Sequence, residues 1–278
     1  MKFNQLTTAS VMVVSLVTCG GASASEWKYS LGTDISSGSY GDSVDTDIVS
    51  TPFTASYSPN ASWTFKASLP WTQMEGPGGV IPGGDGGIVV GPGNGNGNGN
   101  GNGNGGGQTS EETLLIKESG IGDLWLTGTY SLEPIAQQYF VDLSAKYKLP
   151  LADENKGLGT GEADYTLQAE VFTVIGDLTP SFTLAKKYKG DLPETELRDV
   201  WYTSVGTGYR LSEISSIGAS LDYQQAVTSA SDPQTEIFGY LSHKLSDQWT
   251  GMVYGYIGLT DSSPDQGVGF QISYRPRD

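Results

Sequence analysis

Alternation at a period of two runs through most of this chain, and it constrains the fold more than any other feature. Trp27, Tyr29, Leu31, Thr33 and Ile35 alternate with Lys28, Ser30, Gly32, Asp34 and Ser36. Trp63, Phe65, Ala67, Leu69 and Trp71 alternate with Thr64, Lys66 and Ser68. Val141, Leu143, Ala145, Tyr147 and Leu149 alternate with Asp142, Ser144, Lys146 and Lys148. Successive side chains of a strand point to opposite faces, so each set belongs to one face of a sheet. No segment after residue 24 carries a helical period. About twelve alternating segments stand out, at 26–36, 45–57, 61–71, 120–131, 138–149, 163–175, 178–188, 199–211, 216–226, 234–245, 248–259 and 266–275. Many approach the roughly 9–11 residues that a tilted strand needs to cross a bilayer.

The connections sort by parity. Links after even-numbered segments are short, such as Ser58, Pro59 and Asn60, or Gly176 and Asp177, or Ser246 and Asp247. Links after odd-numbered segments are mostly longer and rich in Gly, Pro and acid, at 37–44, 72–119, 150–162, 189–198, 227–233 and 260–265. Outer-membrane barrels have this asymmetry, with tight periplasmic turns and long external loops. A soluble sandwich has no reason to sort its loops this way. Aromatic residues gather at segment ends, among them Trp27, Tyr57, Trp71, Tyr130, Tyr139, Tyr188, Trp201, Tyr209, Trp249 and Tyr274, as interfacial girdles do. The expected fold is all-β: a transmembrane antiparallel up-and-down β-barrel of about twelve strands.

Residues 1–24 read as a signal peptide that is removed: Met1 and Lys2, an apolar run over 9–17, then Ala22, Ser23 and Ala24 as the cleavage pattern. The run is shorter than the roughly 20 residues a spanning helix needs. Leu16, Val17, Thr18 and Cys19 weakly resemble a lipoprotein box, with Thr18 where a smaller residue is usual. Cys19 is the sole cysteine, so residues 25–278, the expected barrel, offer no thiol for a disulfide, a thiolate metal site or a nucleophile. The formal charge of −16 argues against a nucleic-acid partner, since phosphate contacts need clustered Lys and Arg.

Within 72–119, the Asn-Gly pairs of 94–105 read as a flexible spacer in an external loop. Gly83, Gly84, Asp85, Gly86 and Gly87 lack the nonapeptide period of calcium-binding glycine repeats. Gly157, Gly159 and Gly161 lack the Lys and Ser/Thr of a phosphate cradle. His243 is the sole histidine; its neighbour Ser242 points to the other face, so no dyad forms between them and no imidazole metal set exists. No catalytic residue, metal or cofactor is expected.

Leu69, Pro70 and Trp71, then Gly120, Ile121, Gly122, Asp123 and Leu124, then Lys148, Leu149 and Pro150 form a set with 156–161, Asp164 and Tyr165. Together they resemble the outer-membrane transporter family of the MetA pathway of phenol degradation. That resemblance implies a barrel that passes aromatic or other small compounds. Gly269, Ile272 and Tyr274 in the last segment resemble the C-terminal signal read by the barrel insertion machinery, although Arg275, Pro276, Arg277 and Asp278 extend past the usual aromatic end.

If the apolar set faces lipid, the lumen receives Lys28, Asp34, Lys66, Asp123, Asp142, Lys146, Lys148, Asp164, Gln168, Glu170, Arg210, Asp222, Gln224 and Gln271. Such charges either line a pore and set its selectivity or pair and brace it. In the segments 234–245 and 248–259 the faces are ambiguous, because Phe238, Tyr240, Tyr254 and Tyr256 oppose the Ile237 and Val253 sets. The sequence therefore predicts an exported outer-membrane channel, bathed in lipid, for passive passage of small solutes, which the family resemblance implies to be hydrophobic or aromatic. A structural or adhesive barrel with a closed lumen and a soluble secreted β-sandwich binding module are the alternatives.

Overall fold

The computed structural model describes residues 25–83, 88–89, 115–190, 192, 196–229 and 231–277. The expected signal segment 1–24 and the Asn-Gly repeat lie outside the described residues. The strands are β1 (Glu26–Gly38), β2 (Thr46–Ser58), β3 (Trp63–Gly76), β4 (Val80–Ile81), β5 (Ile88–Val89), β6 (Ile116–Ile121), β7 (Leu124–Ser131) and β8 (Tyr139–Leu149). They continue as β9 (Asp164–Thr173), β10 (Leu178–Tyr188), β11 (Val200–Arg210), β12 (Ser215–Gln224), β13 (Gln234–Lys244), β14 (Trp249–Gly258) and β15 (Gln266–Tyr274). Every pairing is antiparallel between neighbours, β1 pairs with β15 as well as with β2, and β2 pairs with β3. The sheet therefore closes on itself as a 12-strand barrel. Closure leaves no edge, which is what a sheet in hydrocarbon requires.

The expected strand over 120–131 is two pieces. β6 pairs with the far end of β3 and β7 with its near end, so they are successive halves of one crossing. The break falls at Gly122 and Asp123, beside Pro52 and Pro70, which face each other across β2 and β3. Neither proline has an N–H to give to a ladder. Gly122 N–H instead donates to the Pro70 carbonyl at 2.8 Å. The ladder also runs further than the sequence suggested: residues 72–76 and 116–119 are strand, so the loop expected over 72–119 is shorter.

Short turns close one end of the barrel. Asn60 Oδ1 accepts the N–H groups of Ser62 and Trp63, both at 2.9 Å, so this side chain is used to fold its own turn. Gly176 takes φ 64°, the first central position of a two-residue hairpin between Ile175 and Leu178.

The two faces are opposite in character. Thr166 is 1% exposed and Leu167 beside it 57%; Ser204 is 3% exposed and Val205 61%. Apolar side chains cover the outside and polar ones the inside, the reverse of a soluble fold, and the hydrocarbon of a bilayer is the medium that stabilises it. Ring pairs mark the short-turn end, with centroids 4.6 Å apart for Trp27 and Tyr57, 4.9 Å for Trp63 and Tyr130, and 4.7 Å for Trp249 and Tyr274. At the long-loop end, Tyr147 and Tyr165 pair at 5.0 Å and the Lys186 ammonium lies 5.4 Å from the Trp201 ring.

The ambiguous strands resolve. On β13 and β14, Ile237, Leu241, Val253 and Ile257 are exposed, while Phe238, Tyr240, Tyr254 and Tyr256 are buried inside. Val205→Arg and Val253→Arg, near the middles of their strands, are each expected to lower unfolding free energy in lipid by about 2–4 kcal/mol. Gln168→Arg, facing inward, should cost clearly less. Equal losses at all three positions in urea titrations of the folded barrel would contradict the assignment of faces.

Candidate functional site

The interior of the barrel holds a cavity of about 370 Å³. Of the residues expected inside, Asp34, Lys66, Asp123, Asp142, Lys146, Gln168, Glu170, Arg210, Asp222, Gln224 and Gln271 line it. Three expected residues do not. Lys28 lies below it, near the short-turn end of β1. Of the two roles open to them, Lys148 and Asp164 take the bracing one, for the reason given next.

Lys148 and Asp164 belong to a cluster in the wall at the long-loop end. Lys148 Nζ lies 3.6 Å from Asp123 Oδ2 and 3.2 Å from Asp164 Oδ2, and Lys189 Nζ lies 2.9 Å from the same Asp164 oxygen. The four side chains are almost fully buried. Buried ions are tolerable only when paired and further hydrogen-bonded. Here Asp123 Oδ1 accepts Leu151 and Ala152 N–H at 3.1 and 3.0 Å, Asp164 Oδ1 accepts Gly190 N–H at 3.1 Å, and Lys148 donates to Thr160 Oγ1 at 2.9 Å. The cluster thereby straps the loop between β8 and β9 over the wall. In that loop Gly157 has φ 65° at the end of a three-residue 3₁₀ turn, Glu154–Lys156. Leu158 then points into the mouth, 2% exposed.

The mouth itself is crossed by chain. β4 and β5 form a small hairpin. Val80 and Val89 pack with Tyr40, Ile48, Met74, Ala152 and Leu158. Ile88 packs with Leu197, Val200 and Val227, and Ile81 and Leu192 join that group. Thr228 Oγ1 donates to the Val89 carbonyl at 3.2 Å. The hairpin thus touches the long loops on both sides of the barrel, and Pro82 and Gly83 beyond it line the cavity. These contacts run inward from a stretch the sequence marks as flexible external loop, because short apolar pairs such as Val80 with Ile81 and Ile88 with Val89 are removed from water there.

One wall is aromatic. Phe238 lies 5.6 Å from Tyr254 and 6.3 Å from Tyr240 between ring centroids. The rings lie flat because the positions beneath them are glycines: a Cβ at Gly269 would enter the Tyr254 ring, and one at Gly267 the Tyr256 ring. Other polar groups in the lumen hold one another. Tyr202 Oη and Ser220 Oγ donate to Asp222 at 3.1 and 3.0 Å. Lys187 Nζ donates to Gln224 Oε1 at 2.6 Å, and Gln224 Nε2 donates to Gln234 Oε1 at 2.8 Å. Arg210 sits at the short-turn rim, with Nε 3.1 Å from Asp177 Oδ1.

Sequence reasoning passed over Lys187, Glu236 and Trp125 and left the aromatic wall ambiguous; all of these line the lumen. Parity would have found Lys187: Phe182 and Leu184 point out, so Lys186 follows them and Lys187 falls inside. The sole histidine, His243, faces outward at the short-turn end, with Nδ1 2.8 Å from Ser215 Oγ on the neighbouring strand. Among the described residues no other group hydrogen-bonds its ring, so nothing orients it as a base requires. Among the described residues no group of three or more His, Cys, Asp or Glu is placed to hold a metal ion.

The fold is shared with solved outer-membrane channels and porins. An outer-membrane channel from Pseudomonas putida F1 has a TM-score of 0.64 at 9% identity, covering 91% of this chain and 96% of that one. The KdgM porin gives 0.56 at 10% identity, covering 90% and 99%. The NanC porin gives 0.53 at 10% identity, covering 88% and 98%. No family model and no curated protein sequence matches the chain. The likeness is therefore one of fold, and the resemblance to the MetA-pathway family stands confirmed in its barrel and unconfirmed as a family.

Lys148→Met leaves two buried carboxylates with one amine between them. It is expected to destabilise the barrel by about 3–5 kcal/mol, whereas Lys117→Met, in an exposed pair with Glu75, should cost under about 1 kcal/mol. Heat-modifiability on gels across a temperature series measures both.

Proposed function

We propose that this protein is a passive outer-membrane channel for small solutes. The observation that carries the reading is the charged and hydroxyl-lined cavity enclosed by a closed barrel whose outside is apolar. A barrel built only to brace the membrane has no need of an unfilled interior. The chain would reach the outer membrane after loss of residues 1–24, with Gly269, Ile272 and Tyr274 read by the insertion machinery. Among the described residues, no nucleophile–base–orienter set supports an enzyme.

Within this reading the β4–β5 hairpin narrows the entrance, and the aromatic wall suits a cargo with a flat apolar ring. This supports hydrophobic or aromatic solutes as the cargo class. One barrel of similar fold, the KdgM porin, is described in complex with disordered oligogalacturonate; solute range thus varies on this fold, and the lumen side chains set it. A closed structural barrel is the second reading, favoured by the cross-mouth packing of Val80, Ile88 and Val89.

Planar-bilayer recordings separate the two. The wild-type protein is expected to give discrete conductance steps in KCl. Replacing residues 77–115 by a short Gly-Ser link should raise the step size, because it removes the hairpin from the mouth. Silence from both proteins, with folding confirmed by gel mobility, would exclude the channel and leave the structural reading.

A further inference from the structure

Three of the lumen lysines form one rank. In the register of the sheet, Lys28 lies opposite Ser56, Ser56 opposite Lys66, Lys66 opposite Thr127, and Thr127 opposite Lys146. Directly opposed residues of antiparallel strands share a face. The amines therefore stand on alternate strands of the inner wall, with a hydroxyl between each. The row continues through Thr166 to Lys187. Lys28 is near the short-turn end of β1 and Lys187 near the long-loop end of β10, so the rank climbs the wall obliquely from one mouth to the other.

The Lys28, Lys66 and Lys146 amines are not spent on ion pairs with the protein. Lys148 and Lys189 each have a carboxylate within 3.2 Å. Among the described residues no carboxylate lies within 4.0 Å of the Lys28, Lys66 or Lys146 ammonium. The cause is not a shortage of acids, since the chain has 31 Asp and Glu against 15 Lys and Arg. The acids that share the lumen form a separate rank, Asp142 opposite Glu170 and Asp222 opposite Glu236. Like charges aligned on one wall repel, and an anion seated among them relieves that repulsion. Lys66 and Lys146 line the same cavity as Phe238 and Tyr240, and β3 and β13 stand nearly opposite each other in the ring of strands.

We propose that the Lys28, Lys66 and Lys146 rank binds the carboxylate of a passing solute while the aromatic wall takes its ring, so that the cargo is a small ring-bearing carboxylate. This rests on the lumen being the path of the solute and names the class of solute it selects. The hydroxyls of Ser56, Thr127 and Thr166 supply neutral donors between the charges, which lets the carboxylate pass from one amine to the next.

The test uses the full chain, folded in detergent at low salt, titrated calorimetrically with benzoate, benzamide and acetate. Saturable benzoate binding is expected, with benzamide and acetate both weaker. K66Q/K146Q should weaken benzoate by at least about tenfold, while K66R/K146R should retain it. Unchanged benzoate binding in K66Q/K146Q, or benzamide bound as tightly as benzoate, would overturn the lysine rank. Acetate bound as tightly as benzoate would overturn the part assigned to the ring wall. Gel mobility before and after boiling verifies that each variant is folded. The titration requires no current. A barrel that binds benzoate but never conducts removes the channel reading and with it the cargo role, leaving the lysine rank as a binding site, and one that conducts but ignores benzoate removes the lysine rank alone.

Discussion

Everything in this structure depends on the hydrogen bonds between β1 and β15. In hydrocarbon, a strand edge would leave a row of N–H and C=O groups without partners, each costing several kcal/mol. The pairing of Tyr29 with Tyr274 through Thr33 with Phe270 removes that edge. It joins the first strand to the last, so the lumen exists only when the chain is complete. Closure also decides which face can be polar. Once the ring is shut, the inside is screened from lipid and can hold Asp34, Lys66 and Glu170, which no lipid-facing position would tolerate.

Inside that ring, burial has two different outcomes for charge. At the long-loop end, Asp123, Lys148, Asp164 and Lys189 pair with one another and with backbone N–H groups, and they serve as the fastening of a loop. Deeper in, Lys66 and Lys146 stand beside hydroxyls and face the cavity. The same residue types thus brace in one place and remain available in another, and the difference is whether a carboxylate lies one strand away in register. Glycine plays a comparable part for the aromatic wall. Gly267 and Gly269 give the Tyr256 and Tyr254 rings room to lie against the sheet, which keeps them from filling the cavity.

Much of the barrel was legible in the residues because period two is a strong signal where one face is apolar. Val141, Leu143 and Ala145 against Asp142, Ser144 and Lys146 leave little doubt about which side meets lipid. The signal failed where aromatic residues occupy both faces, as on β13 and β14, since Tyr and Phe are at home in lipid, at the interface and in a lumen alike. It also failed at Pro70 and Gly122, where Pro70, with no N–H to give, leaves the pairing of β3 interrupted between β6 and β7, a ladder that sequence alone would run straight through. Lys148 and Asp164 were read correctly as inward, but their pairing depends on the register of β7, β8 and β9, which no single strand reveals.

Alternation and the sorting of long and short loops by themselves determined an all-β barrel with an apolar outside, because a strand's side chains can only go up or down and a bilayer accepts only one of those sets. Tertiary structure alone decided that the 77–83 and 88–89 segments fold back over the mouth, that four charges fasten a loop, and that three lysines from distant parts of the chain fall into one row. The physical reason is the register. It is set by the fit of whole strands to their neighbours around a closed ring, so it belongs to the assembled sheet and to no stretch of chain within it.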